Sequence, residues 1–234
     1  MPVIMLAEDT DFAGWRRAAR ALVQNGVPPS GVTWETGDSR QQRTERPHPA
    51  TSPQEAFSVP AKFVRLARAA ILHRDPARFA LLYRLLWRLR RDRDLLVAPD
   101  DADVARAVAL ADAVHRDINR MQTLLSFREI GRDQKAHYVA WFKPDHHIVA
   151  AVAPFFANRF ADMPWSILTP DLCAHWDGHA VSITPGLMET PKPDRLEETW
   201  RRIQRDGFAG NPSAESCDQG QNTPIFLLQP LIDN

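Results

Sequence analysis

Seven side chains are of types that could do chemistry: the adjacent His146 and His147, the hydroxyl of Ser166, the thiol of Cys173 and the carboxylates of Glu129, Asp171 and Asp177. Their spacing argues against most of it. Neighbouring helical residues point about 100° apart, so His146 and His147 do not converge on a metal as an i, i+4 pair would. The two cysteines, Cys173 and Cys217, form no CxxC pair. No metal site is expected, although both histidines stand where a helix N-terminus helps hold a phosphate. Ser166 and Cys173 fall in strand-like runs without a GxSxG elbow. Asp171, Asp177 and Glu129 suit turns and ion pairs better than acid–base work. The phosphate-cradling patterns GxGxxG and GxxxxGK[ST] are absent, which argues against nucleotide hydrolysis and dinucleotide binding. No cofactor is expected.

Phosphate recognition is better served. On one helix Arg84, Arg88 and Arg91 recur at spacings of four and three, which puts them on a common face. From Ala61 to Leu95 ten basic residues stand against three acidic ones, a local balance of +7, although the whole chain has zero formal net charge. Arg128, His146, His147 and Arg159 extend this surface if the fold gathers them. Trp165 is a candidate platform for a nucleic-acid base, as are Trp141 and Trp176.

The elements that must position these residues follow from periodicity. Pro2–Leu6 reads as a strand, followed by a helix capped by Asp9 or Thr10 and ending at Gly26, and then a strand over Val32–Glu35. Residues 37–56 are rich in proline and polar side chains and read as a flexible linker. Helices are expected over Ala61–His73, over Pro76–Leu96 and from Asp100 or Asp101 onward, the last carrying a long apolar stripe from Val104 to Leu125. Then the pattern changes to strands. His137–Phe142, Trp165–Thr169, Leu172–Trp176 and Ala180–Thr184 are expected to be extended, with Asp177-Gly178 as a hairpin turn. A helix entered at Pro144-Asp145 lies among them and is expected to kink or divide at Pro154. A last helix covers Pro193–Arg205.

The fold class is therefore α+β: a helical bundle packed against a small antiparallel sheet, with a short N-terminal strand-helix-strand unit. Residues 1–36 form that unit, 57–205 the main α+β domain and 206–234 an irregular tail. Few cysteines and the lack of a basic, apolar leader point to the cytoplasm, and no stretch is long and apolar enough for a membrane span.

From Phe127 onward the segments FRE, YVAWFKPDHHI, PFFANRF, WSILTP and HWDG occur in order. Upstream stand TDFAGWRRAARALVQNGVPP, FSVP and HRDPARFALLYRLLWRL. Together these resemble an uncharacterised bacterial family assigned to DNA metabolism and DNA repair, and the likeness runs through to Trp200. Members of that family accompany radical SAM proteins similar to spore photoproduct lyase, or stand fused in front of uracil-DNA glycosylase-like domains. The resemblance implies an accessory protein that binds DNA or such a repair enzyme. Two departures qualify it. The glycosylase-like domain with its iron–sulfur cluster is missing here, and two cysteines cannot supply four cluster ligands. Beyond Trp200 the family's tyrosine-rich, basic ending is replaced, which reads as divergence, truncation or a frameshift. The alternative is an enzyme acting on a nucleobase or nucleotide, with His146, His147, Trp165 and Asp171 lining one pocket.

Overall fold

A computed structural model of the chain describes residues 2–37, 58–97, 100–130, 136–187, 198 and 200–202. The proposed linker beyond Gly37 and the tail from 206 lie outside the described residues, as does most of the expected last helix, of which 198 and 200–202 are helical. The chain divides into two compact units, Met1–Arg116 and Asp117–Asn234. Among the described residues no helix is long and apolar enough to cross a membrane.

The first unit begins with β1 (Val3–Leu6), α1 (Phe12–Gln24) and β2 (Thr33–Thr36), with β1 and β2 paired in parallel. The expected strand-helix-strand is present. Its helix is capped by Asp11 rather than by Asp9 or Thr10: the Asp11 carboxylate accepts the Gly14 amide at 2.6 Å, satisfying one of the free N-terminal donors. Gly26, at φ +68°, lets the chain turn away beyond α1. The helices α2 (Ala61–Ala70), α3 (Arg78–Leu89) and α4 (Ala102–Leu124) follow, and the boundary between the units falls within α4.

Apolar periodicity decides which faces are buried. Trp15, Ala19 and Leu22 of α1, Phe63, Leu66 and Ala67 of α2, and Phe79, Leu82, Tyr83, Leu86 and Leu89 of α3 are all buried. The polar tips inside this core are satisfied. Trp15 Nε1 donates to the Phe79 carbonyl at 3.3 Å, and the Tyr83 hydroxyl donates to the Val27 carbonyl at 2.6 Å. Arg78, 1 % exposed, donates to the carbonyls of Ile71, Asp75 and Asp9 and to the Asp9 carboxylate.

The second unit holds a five-stranded sheet in sequence order: β3 (Arg128–Ile130), β4 (His137–Trp141), β5 (Trp165–Leu168), β6 (Leu172–Trp176) and β7 (Val181–Pro185). All neighbours are antiparallel except β4 and β5, which are parallel because α5 (Val149–Arg159) makes the crossover between them. The Asp177-Gly178 turn joins β6 to β7, with Gly178 at φ +97° and the Asp177 carboxylate accepting the amides of His179 and Ala180.

Pro154 does not divide α5. It is exposed, as is Ala150, whose carbonyl loses its amide partner on a face where solvent can replace it. The helix also starts later than expected. Residues 145–147 form a bend whose amides at Asp145 and His146 are taken by the buried Asp117 carboxylate, at 2.7 and 2.9 Å. Arg120 holds that carboxylate at 2.6 Å.

Candidate functional site

The eight residues expected to contact nucleic acid fall in both units. Arg84 and Arg88 are already engaged. Arg84 makes a two-pronged ion pair with Asp103, at 2.9 and 2.7 Å, and Arg88 bonds both Asp101 and Asp103. The Asp103 and Asp101 carboxylates hold these guanidinium pKa values above the ordinary arginine value, and the arginines in turn depress both aspartates. Arg91 is exposed just beyond α3. Arg128 is exposed on the edge strand β3, and Arg159 closes α5 with its guanidinium 5.5 Å from the Phe160 ring centre. His146 and His147 are half-buried in the bend before α5.

Trp165 is 0 % exposed, against Phe127 and Phe156. It offers no face to a base. Asp171 is half-buried in the turn between β5 and β6, where its backbone carbonyl accepts the Gly186 amide at 2.9 Å.

The register of the sheet gathers a different group. Val139 pairs with Ser166, Ser166 with His175 and Cys173 with Thr184, so His137, Ser166, His175 and Thr184 share one face. Ser166 Oγ lies 2.8 Å from His137 Nε2, 2.7 Å from His175 Nδ1 and 3.2 Å from the Trp200 indole nitrogen, while His175 Nε2 lies 2.9 Å from Thr184 Oγ1. The Trp200 ring stacks on His137 at 4.5 Å. Burial drives the pKa of each histidine down to about 4, and for His175 the neighbouring His137 adds to the effect, so both imidazoles are neutral near pH 7.

This arrangement resembles a serine–histidine pair, but hydrogen-bond counting removes it as a nucleophile. A hydroxyl has one donor and two acceptor sites. Ser166 accepts from Trp200, accepts from one imidazole and donates to the other, so its capacity is full. It is also 0 % exposed. The group is a saturated polar seam that ties the Trp200 segment to the sheet. Cys173, buried beside it, has its thiol pKa pushed up by burial, the opposite of an activated cysteine. Among the described residues no group of three or more histidines, cysteines and carboxylates could hold a metal ion.

The first unit holds the open site. A cleft of about 340 Å³ lies between α1, α2 and α3, with apolar walls from Trp15, Val23, Phe63, Ala67 and Leu86 and half-buried Phe12 beside them. Arg16, Arg20 and Arg90 stand exposed at its rim. Arg68 lies over the Phe12 ring at 5.1 Å and Arg90 over Trp87 at 4.7 Å.

The charge pattern around the cleft is one-sided. Each of α1, α2 and α3 contributes three basic residues, nine in all, and no carboxylate lies within any of the three. Asp9, Asp103 and Asp101 neutralise Arg78, Arg84 and Arg88 from outside. Arg16, Arg17, Arg20, Lys62, Arg65 and Arg68 are exposed, and none of the six has an ion-pair partner among the described residues. The acid-free runs were visible in the sequence. What was not visible was which arginines the aspartates of other elements would claim.

Neither a curated protein nor a solved structure matches the chain. A family model described as "Domain of unknown function (DUF4130)" matches residues 76–206, more than half of the sequence, and the chain therefore belongs to that family.

Proposed function

We propose that the protein is an accessory factor of DNA repair or DNA metabolism that binds DNA and performs no chemistry on it. The observation that carries this reading is the set of six exposed cations on α1 and α2, without ion-pair partners among the described residues and on helices that hold no acid. Fixed positive charge without internal partners is available to release counterions from a phosphate backbone. The ordered motifs that resemble a DNA-metabolism family support the same class of ligand. They also suggest the kind of protein it works beside, a radical SAM enzyme or a uracil-DNA glycosylase-like protein.

The test is a fluorescence anisotropy titration of the full chain with single- and double-stranded DNA at several salt concentrations. Binding should weaken as salt rises, with log K linear in log salt. Replacing both Arg17 and Arg65 with alanine should lower the slope by about 1–2, close to one for each phosphate that is no longer neutralised. Absence of binding to either form at low salt defeats the proposal.

A further inference from the structure

We infer that the cleft between α1, α2 and α3 takes one unstacked nucleotide of single-stranded DNA, its base against the apolar walls and its flanking phosphates on Arg16, Arg20 and Arg90. This deepens the DNA-binding reading and rests on it. The walls and the rim demand different things of a ligand. Half-buried Phe12, Val59 and Val64 present apolar surface above a floor of buried Trp15, Phe63, Ala67 and Leu86, which favours a flat, poorly hydrated body. The three rim guanidiniums have no carboxylate partner among the described residues, which favours an anion beside that body. A nucleotide within a strand combines both parts, a flat base and flanking phosphates.

Size points the same way. About 340 Å³ is at the small end of the roughly 300–1,000 Å³ range of ligand clefts, enough for one base and part of its sugar. In a duplex every base is stacked and paired, so none is free to enter a concave site without an extrusion cost. The cleft therefore selects single strands, or duplex positions where a base is already unpaired.

The experiment compares three fluorescent probes with the full chain: an oligo-dT strand, the same strand with abasic sites, and a duplex of equal length. The oligo-dT strand should bind about tenfold or more tighter than the abasic strand, as expected for stacking of one base. Val64→Trp fills the cleft from a half-buried wall position and should abolish that preference while leaving salt-dependent binding of the abasic strand intact. Arg16→Ala with Arg20→Ala, at exposed positions, should weaken both strands together, and thermal melts should confirm that these variants remain folded. Equal affinity for the base-containing and abasic strands overturns the cleft assignment while the DNA-binding reading stands. Failure of every probe to bind at low salt overturns both. Tighter binding of an acidic, phenylalanine-containing peptide than of any strand overturns the cleft assignment in favour of a protein partner.

Discussion

Ser166 Oγ lies 2.7 Å from Nδ1 of His175, on the neighbouring strand and directly opposite it in register. The same oxygen also meets His137 and Trp200, so one hydroxyl satisfies three ring nitrogens. Ser166→Ala should leave buried polar groups without partners, at a cost of roughly 1–3 kcal/mol for each group that cannot find another. Ser182→Ala, on the same face but exposed, should cost under about 0.5 kcal/mol. Urea unfolding of the two variants checks the difference, and equal midpoints would count against the seam.

The seam also sets an acid limit. Both imidazoles have folded pKa values near 4, below the ordinary 6.5 of an unfolded chain. The unfolded state therefore takes up protons first as pH falls. The stability linked to these histidines is complete above about pH 6.5 and is lost as pH drops toward 4, by up to a few kcal/mol. Two protonated imidazoles would also confront Ser166 with three donors. The aspartates Asp75, Asp101 and Asp103, whose pKa values are depressed by their arginine partners, add a separate loss below their unfolded value of 3.8. NMR titration of the histidine ring protons checks the first window, and His137→Gln should flatten the stability profile between pH 4 and 6.5.

Arg78 holds the entry to α3 through three main-chain carbonyls and the Asp9 carboxylate. Arg78→Met keeps much of the buried stem but strands those acceptors, for an expected loss of roughly 2–5 kcal/mol. Arg78→Lys should recover only part of it, because a single ammonium lacks the spread of the guanidinium fork. Thermal melts of the two variants should rank them in that order below the parent chain.

Asp101 has two tasks. Its carboxylate accepts the amides of Asp103 and Val104 at the start of α4, and it also pairs with Arg88. Asp101→Asn retains an oxygen for the amides and loses only the ion pair, which is exposed on the arginine side and worth under about 1 kcal/mol. Asp101→Ala loses both and should cost about 1 kcal/mol more. Denaturant melts of the pair separate the two contributions. Arg88 keeps Asp103 as a partner in Asp101→Asn, so a gain in DNA affinity is expected only when Asp103→Asn is added.

Much of the fold was legible because local physics dominates it. The buried faces of α1, α2, α3 and α4 follow the apolar repeat, and β4 to β7 follow aromatic and β-branched runs closed by the Asp177-Gly178 turn. The short strand β3 went unseen, since three residues carry almost no periodic signal. Pro154 misled because the cost of a helical proline depends on whether the freed carbonyl faces solvent, which periodicity alone does not reveal. The cap of α1 moved to Asp11 because three capping residues stand within Asp9–Asp11 and geometry chooses among them.

The candidate site was less legible, for a physical reason. Residue type and spacing determined, without coordinates, that the chain is α+β, that it lacks metal and phosphate-loop motifs and that its cations cluster in the first half. They could not say which cations are free. Arg84 and Arg88 share a helical face, yet Asp101 and Asp103 of the following segment neutralise both, while Arg16, Arg20 and Arg90 stand beside a cleft with no carboxylate partner among the described residues. Likewise Trp165, chosen for its aromatic ring, closed into the core, whereas Ser166, His137 and His175 met through strand register. Ion pairing and burial depend on residues distant in sequence, so only the tertiary structure decided them.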